Sequence, residues 1–408
     1  MMPAKTEMVH LDRYSARWLE ARRARTRVIM DVFTGAGCDT VAPPHIQPAN
    51  LLLDVVGESV GETTFLCEDR HSADLCLRTD LTVPTCLFYL KREPEAARAA
   101  KYAAAGTVFR QPPNEAKAGE DGFDHGELHQ VGIEIFNGRD AIAADVEVLD
   151  LVLDGLRRSE LRSSRVRIGD VAIFRDLVAG LPMPERWRRQ LVHHFWHQRA
   201  FAAYLNRLTK KQPLRVPPAL VTALKVNDVA ASTEAVRRYL DKAGTELQGD
   251  RSVEEITAGL LDQLRDAAEP PLGFTVAGII DSYLHIEGRP DEALAQIREL
   301  AKRQPGLDLS TSLDAFQQRL TRLADKGIRV ADLTFDADFG RDFEYYTGFV
   351  FEVTAGPANA AAGGQRTIAG GGRYDSLCQA LGSSRRVPAV GAAIYTDRLL
   401  AAAWGSGL

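Results

Sequence analysis

"ELHQVGIEIFN", residues 127–137, alternates at period two. As a β-strand it puts His129, Val131, Ile133 and Ile135 on one face and Leu128, Gln130, Gly132, Glu134 and Phe136 on the other. The first face is apolar enough to pack on a core. The second carries an amide and a carboxylate with a glycine between them, which leaves room for a small ligand. Glu134 is suited to an ammonium or imidazolium group, and Gln130 both donates and accepts. The alternative is an ordinary solvated strand face.

Working outward, "KYAAAGTVFR" (101–110) reads as a partner strand that stops on Arg110, followed by Pro112 and Pro113. "TTFLCED" (63–69) and "ADLCLRTD" (73–80) read as a hairpin, and "LTVPTCLFYLKR" (81–92) as a turn into a helix. Residues 12–36 read as an amphipathic helix with Trp18, Val28, Ile29, Val32 and Phe33 on one side. Residues 140–159 read as another helix, with Asp140 as its cap. Residues 181–330 turn helical, and Ser252 with Glu255 has capping-box spacing. Strand character returns at 330–340 and 345–354.

The 408 residues are 45% hydrophobic and 26% charged, with a net charge of −5, which gives no global basic field for nucleic acid. Five cysteines, an odd count without metal-ligand spacing, favour free thiols and a cytoplasmic setting. The N-terminal residues lack the apolar stretch of a signal peptide, and no apolar run suits a membrane span. His193 and His197 stand at i and i+4, but the glutamate of a zinc-protease helix is missing, so helix packing is the expected role and no metal is expected. In "RDFEYYTGFVFE" (341–352) a regular strand would send Tyr345 and Tyr346 to opposite faces, one packed and one offering its hydroxyl to a pocket. "AGGGRYDSL" (369–377) places flexible backbone beside Arg373 and Asp375, where an anion could approach. It fits neither a P-loop nor a dinucleotide fingerprint.

These segments together resemble the catalytic core of class II aminoacyl-tRNA synthetases, specifically histidyl-tRNA synthetase. "CDTVAPPHIQPA" (38–49) is similar to the dimer-forming motif 1, and "VFR…ELHQVGIEIF" to motif 2. "LCLRTDLTVP" (75–84), "RDFEYYTGFVFE", "GGRYDSL" and "PAVGAAIYTDRLL" (388–400) resemble further segments of that core, in the same order. The resemblance implies an α/β (α+β) fold, an antiparallel sheet flanked by helices. Residues 1–180 and 331–408 would form the core, 181–330 a helical insert, and no anticodon-binding domain is expected. It also implies a histidine pocket formed by Asp80, Thr82, Arg110, Gln130, Glu134, Arg341, Tyr345 and Tyr346.

The nucleotide half departs from the pattern. Pro112 stands where the synthetases carry an acid and brings neither charge nor N–H. The segment "GEDGFDHGE" (119–127) is acidic where arginines would meet a triphosphate. Tyr395 is bulky where nucleotide space is expected, before Arg398. A kept amino-acid pocket with a damaged nucleotide site resembles the ATP phosphoribosyltransferase regulatory subunits of histidine biosynthesis. That implies a protein with no catalytic residues and no cofactor, partnered with a short-form catalytic subunit. Histidine would be the feedback effector, and the chain would dimerise within a hetero-octamer; tRNA is not an expected partner. The alternatives are a truncated amino-acid-adenylating enzyme and a free-standing histidine or tRNA sensor.

Overall fold

A computed structural model describes residues 15–56, 61–68, 74–111, 126–243, 252–339, 344–355 and 366–404. Contacts divide the chain into two units, Met1–Leu181 with Ser282–Leu408, and Pro182–Asp281. In chain order the first unit begins with α1 (Ala16–Gly35), β1 (Asp39–Val41), β2 (Ile46–Pro48), α2 (Ala49–Val56), β3 (Leu66–Glu68) and β4 (Asp74–Leu77). There follow α3 (Thr82–Arg92), β5 (Ala100–Phe109), β6 (Glu127–Phe136), α4 (Ala141–Arg158), β7 (Arg165–Asp170) and α5 (Val171–Gly180). The second unit holds α6 (Glu185–His194), α7 (Gln198–Leu208), α8 (Pro218–Val221), α9 (Val229–Ala243) and α10 (Val253–Ala268). The helix α11 (Phe274–Leu284) runs across the boundary, and β8 (Glu287–Gly288), α12 (Pro290–Ala301), α13 (Ser310–Asp325) and β9 (Leu333–Asp336) come next. The chain closes with β10 (Phe349–Ala355), β11 (Arg366–Arg373), α14 (Leu377–Ala380), β12 (Ala389–Tyr395) and α15 (Thr396–Trp404).

Among the described residues, one nine-stranded sheet runs β1-β5-β6-β12-β11-β10-β7-β9-β8. It is antiparallel except for the β1–β5 and β7–β9 pairs. A smaller antiparallel sheet, β2-β4-β3, contains the expected hairpin. The central strand β6 is flanked by β5 and β12 over nearly its whole length, so both of its edges are paired, and its side chains are buried on both faces. This overturns the solvated-face alternative: Gln130 and Glu134 are as buried as Val131 and Ile133. Behind β6, α1 and α4 pack closely; Ile29 reaches Gly155, where an added Cβ would touch both it and Ile394. His129 on that side bonds Thr396 Oγ1 at 2.8 Å through Nδ1, and burial pushes its pKa down to about 4, so it is a neutral packing residue.

The helix ends follow local chemistry. Ser15 caps α1 by accepting from the Trp18 N–H (3.2 Å), and Asp140 caps α4 through the Ala143 N–H (3.0 Å). Ser252 and Glu255 exchange both bonds of a capping box at the start of α10. In the second unit, Val216, Leu220, Leu224, Val236 and Leu261 form a small core of their own, and Asp266 accepts from Arg186 and Trp187. The stretch expected as one helical insert, 181–330, is helical in the main, but residues 282–330 pack in the first unit. A buried ion network holds them there. Arg319 on α13 reaches Asp145 on α4 (2.7 Å) and Asp170 at the end of β7 (2.8 Å), while Arg373 on β11 shares Asp145 (2.6 Å). Among the described residues, no helix is long and apolar enough to cross a membrane.

Candidate functional site

The front of β6 faces α3 and the segment that leads into it. Arg78 secures that segment: it is fully buried, and it donates from Nε to the Thr107 carbonyl (2.8 Å) and from Nη1 to the Pro43 carbonyl (2.6 Å). Gly106 makes room for it, since a Cβ there would lie 2.3 Å from Arg78 Nη2. Asp80, two residues on, accepts from the Val83 N–H in the first turn of α3 (3.0 Å) and from the Tyr345 hydroxyl (3.0 Å). Burial raises its pKa, opposed in part by its bonds and by the Arg110 charge.

Glu134 lies at the centre. Thr82 Oγ1 donates to its Oε1 (2.7 Å) and the Tyr374 hydroxyl to its Oε2. Its register partner on β12 is Gly391, where an added Cβ would sit 1.6 Å from Oε2. The carboxylate occupies the space a side chain would take. Burial pushes Glu134 up to about 8, against the two hydroxyl bonds; the nearby Asp80 charge adds to the rise. Glu134 is therefore mainly protonated at pH 7. A folded-state pKa above the unfolded one contributes stability that is complete below about 4.5 and is lost as pH rises through about 8. Glu134→Gln, which imitates the protonated acid, is expected to flatten this decline. Urea unfolding should find the variant nearly as stable as the parent at pH 5 and more stable, by on the order of 1–3 kcal/mol, at pH 9.

The remaining expected residues fall around this centre in different ways. Gln130 shares the face of Glu134, is 1% exposed, and its Oε1 has no hydrogen-bond donor among the described residues. Arg110 is half-buried at the end of β5 and donates from Nε to the Thr79 carbonyl (2.9 Å), within electrostatic range of Asp80. Tyr345 and Tyr346 are both buried, with ring centroids 4.9 Å apart. They are not on opposite faces of a strand, because β10 begins only at Phe349 and the tyrosines sit in the turn before it. Arg341 lies outside the described residues, as do Pro112 and Pro113.

Two residues of the site carried no sequence signal of their own. Tyr374 hides between Arg373 and Asp375, whose charges drew the reading towards an anion. Arg373 is instead neutralised by Asp145 and Asp375, so that glycine-rich stretch is not a free cation. Gly391 was one glycine among 33. Only the strand pairing reveals that it faces Glu134.

The family model described as histidyl-tRNA synthetase matches residues 12–271 and 261–399. A protein of Allorhizobium ampelinum named ATP phosphoribosyltransferase regulatory subunit is 33% identical over 374 residues, covering 91% of this chain and 95% of the relative. One of the same name from Agrobacterium fabrum is 32% identical, with the same coverage. Among solved structures, a Bacillus halodurans ATP phosphoribosyltransferase regulatory subunit/histidyl-tRNA synthetase aligns with a TM-score of 0.64 at 18% identity, covering 95% of this chain and 80% of that one. A histidine–tRNA ligase subunit of Alicyclobacillus acidocaldarius aligns at 0.56 and 20% identity, covering 95% and 94%. The sheet order, the strand carrying Glu134 and these full-length relatives place the chain in one family: it belongs to the ATP phosphoribosyltransferase regulatory subunits, built on the fold of histidyl-tRNA synthetase.

Proposed function

We propose that this chain is a non-catalytic, cytoplasmic regulatory subunit that binds free histidine around Glu134. It activates a short-form ATP phosphoribosyltransferase catalytic subunit and imposes feedback inhibition on it. The observation that carries the reading is the pair of buried acids, Glu134 and Asp80, close enough to act on each other, with the buried Gln130 Oε1 further along the same face of β6. Histidine brings an ammonium, an imidazole N–H and a carboxylate, and Arg110 with Arg341 would meet the last of these. Tyr345 and Tyr346 would flank the ring.

Two features support the absence of adenylation chemistry. Pro112 replaces an acid, and Arg398 lies over the Tyr395 ring, 4.7 Å from its centroid, while donating to the Thr367 carbonyl. The family pattern adds dimerisation through residues 38–49 and assembly into a hetero-octamer. Inhibition requires histidine to bind the inactive assembly more tightly than the active one, and about 1–3 kcal/mol of coupling suffices.

Calorimetric titration of the isolated chain tests the reading. Histidine should bind once per chain, and histidinol, which lacks the carboxylate, at least tenfold more weakly. Equal affinities would remove Arg110 from the site. Histidine-dependent exchange of pyrophosphate into ATP would overturn the non-catalytic assignment.

A further inference from the structure

Cys86 and Cys378 are 292 residues apart in the chain, yet their Sγ atoms lie 3.0 Å apart. Both side chains are fully buried. The pair is placed beside the carboxylate of Glu134 in a specific way. Cys86 comes four residues after Thr82 on α3, and Cys378, on α14, comes four residues after Tyr374. Thr82 and Tyr374 are the two hydroxyl donors that hold the two oxygens of Glu134. The thiol contact thus ties α3, which carries Thr82, to the short helix that follows Tyr374 in the chain.

We infer that Cys86 and Cys378 are a modification site, a thiol pair that hydrogen peroxide closes into a disulfide, and that closure weakens ligand binding at Glu134. The second half rests on the histidine pocket proposed above. The chemistry balances with peroxide as the only co-reactant. One thiol sulfur attacks the O–O bond, giving a sulfenic acid and one water. The second sulfur then displaces the hydroxyl from the first, releasing a second water and forming the S–S bond. Two thiols lose two hydrogens and two electrons, and the peroxide takes up both.

The bonded distance is about 2.05 Å, so closure draws α3 and α14 together by roughly 1 Å. Binding constellations tolerate about 0.5 Å. Thr82 and Tyr374 are then fastened onto Glu134, and an incoming cation has to compete with both. Burial raises the Cys86 thiol well above its ordinary pKa, and its contact with Cys378 raises it further. The pair therefore reacts slowly beside Cys67, which is exposed and serves as an internal standard.

The full-length chain is exposed to hydrogen peroxide, digested without reductant and analysed by mass spectrometry, and its histidine affinity is measured before oxidation, after it, and after dithiothreitol. The expected result is a crosslinked peptide joining Cys86 to Cys378, two hydrogens lighter than its halves, forming after Cys67 has reacted. Histidine affinity should drop at least tenfold and return on reduction. In Cys378→Ala, peroxide should leave the affinity unchanged. The inference is overturned if Cys86 and Cys378 remain unlinked on prolonged exposure, long after Cys67 is fully oxidised, or if they link and the affinity is unaltered. A reduced chain that fails to bind histidine at all instead overturns the functional reading, and with it the link from this disulfide to the pocket.

Discussion

Glu134→Ala is expected to abolish the response to histidine and to leave activation of the catalytic subunit intact. Truncating one partner of a buried, hydrogen-bonded charge pair costs about 2–5 kcal/mol, which is roughly 30- to several-thousand-fold in affinity. The Thr82 and Tyr374 hydroxyls would lose their shared acceptor, and the ligand cation would enter a buried space with Asp80 as its remaining acid. In the reconstituted complex the variant should support turnover at the parental rate, with an inhibition curve displaced beyond the usable histidine range. The alanine also removes a group whose pKa is held high by burial, so the ligand-free variant should unfold no more easily than the parent at pH 9. A complex inhibited at the parental histidine concentration would remove Glu134 from the effector site.

Arg319→Met is expected to be the most destabilising single change in the first unit. Arg319 neutralises Asp170 and shares Asp145 with Arg373, all of them buried. Removing it leaves Asp170 with the Ala172 N–H as a bonded partner and no cation in contact. Breaking a buried pair from one side costs about 3–5 kcal/mol. Asp170 already has its pKa raised by burial, with the Arg319 charge the largest influence opposing that rise. Without the arginine its pKa climbs further, so the deficit should shrink as pH falls and the acid takes up a proton. Urea unfolding at pH 8 and pH 5 should record the larger loss at pH 8. A loss below about 1 kcal/mol at both would mean that solvent, and not Arg319, satisfies the two acids.

The strands around the site were legible because period-two alternation is a local property. β5, β6 and the β3–β4 hairpin follow directly from it, and the caps at Asp140 and Ser252 are equally local, each a side-chain oxygen accepting an N–H three residues on. Burial was harder to read. Alternation says which side chains share a face of β6, but only the folded chain shows that Leu81 and Thr82, at the start of α3, cover the polar face. The tyrosines were misassigned for a related reason. Tyr345 and Tyr346 have the composition of a strand, yet β10 begins only at Phe349, and the Tyr345 hydroxyl is turned to Asp80. Tyr374 and Gly391 were illegible because their importance lies in what they touch across the sheet. Arg319 likewise resembles any arginine on an amphipathic helix until Asp145 and Asp170 are found beneath it.

The bond between Tyr374 and Glu134 spans 240 residues of chain. At a synthesis rate of about 5–20 residues per second, roughly 10–50 s pass between translation of the acid and translation of the tyrosine. Gly391, which vacates the space for that acid, emerges later still. During this interval β6 exists without β12, its pairing edge is open and Glu134 has no second donor. On the proposed function, histidine would then find no complete pocket on the growing chain and could not act as a template for the N-terminal half. If the proposed function holds, the effector meets only chains translated through Gly391, and any stabilisation it brings comes after synthesis.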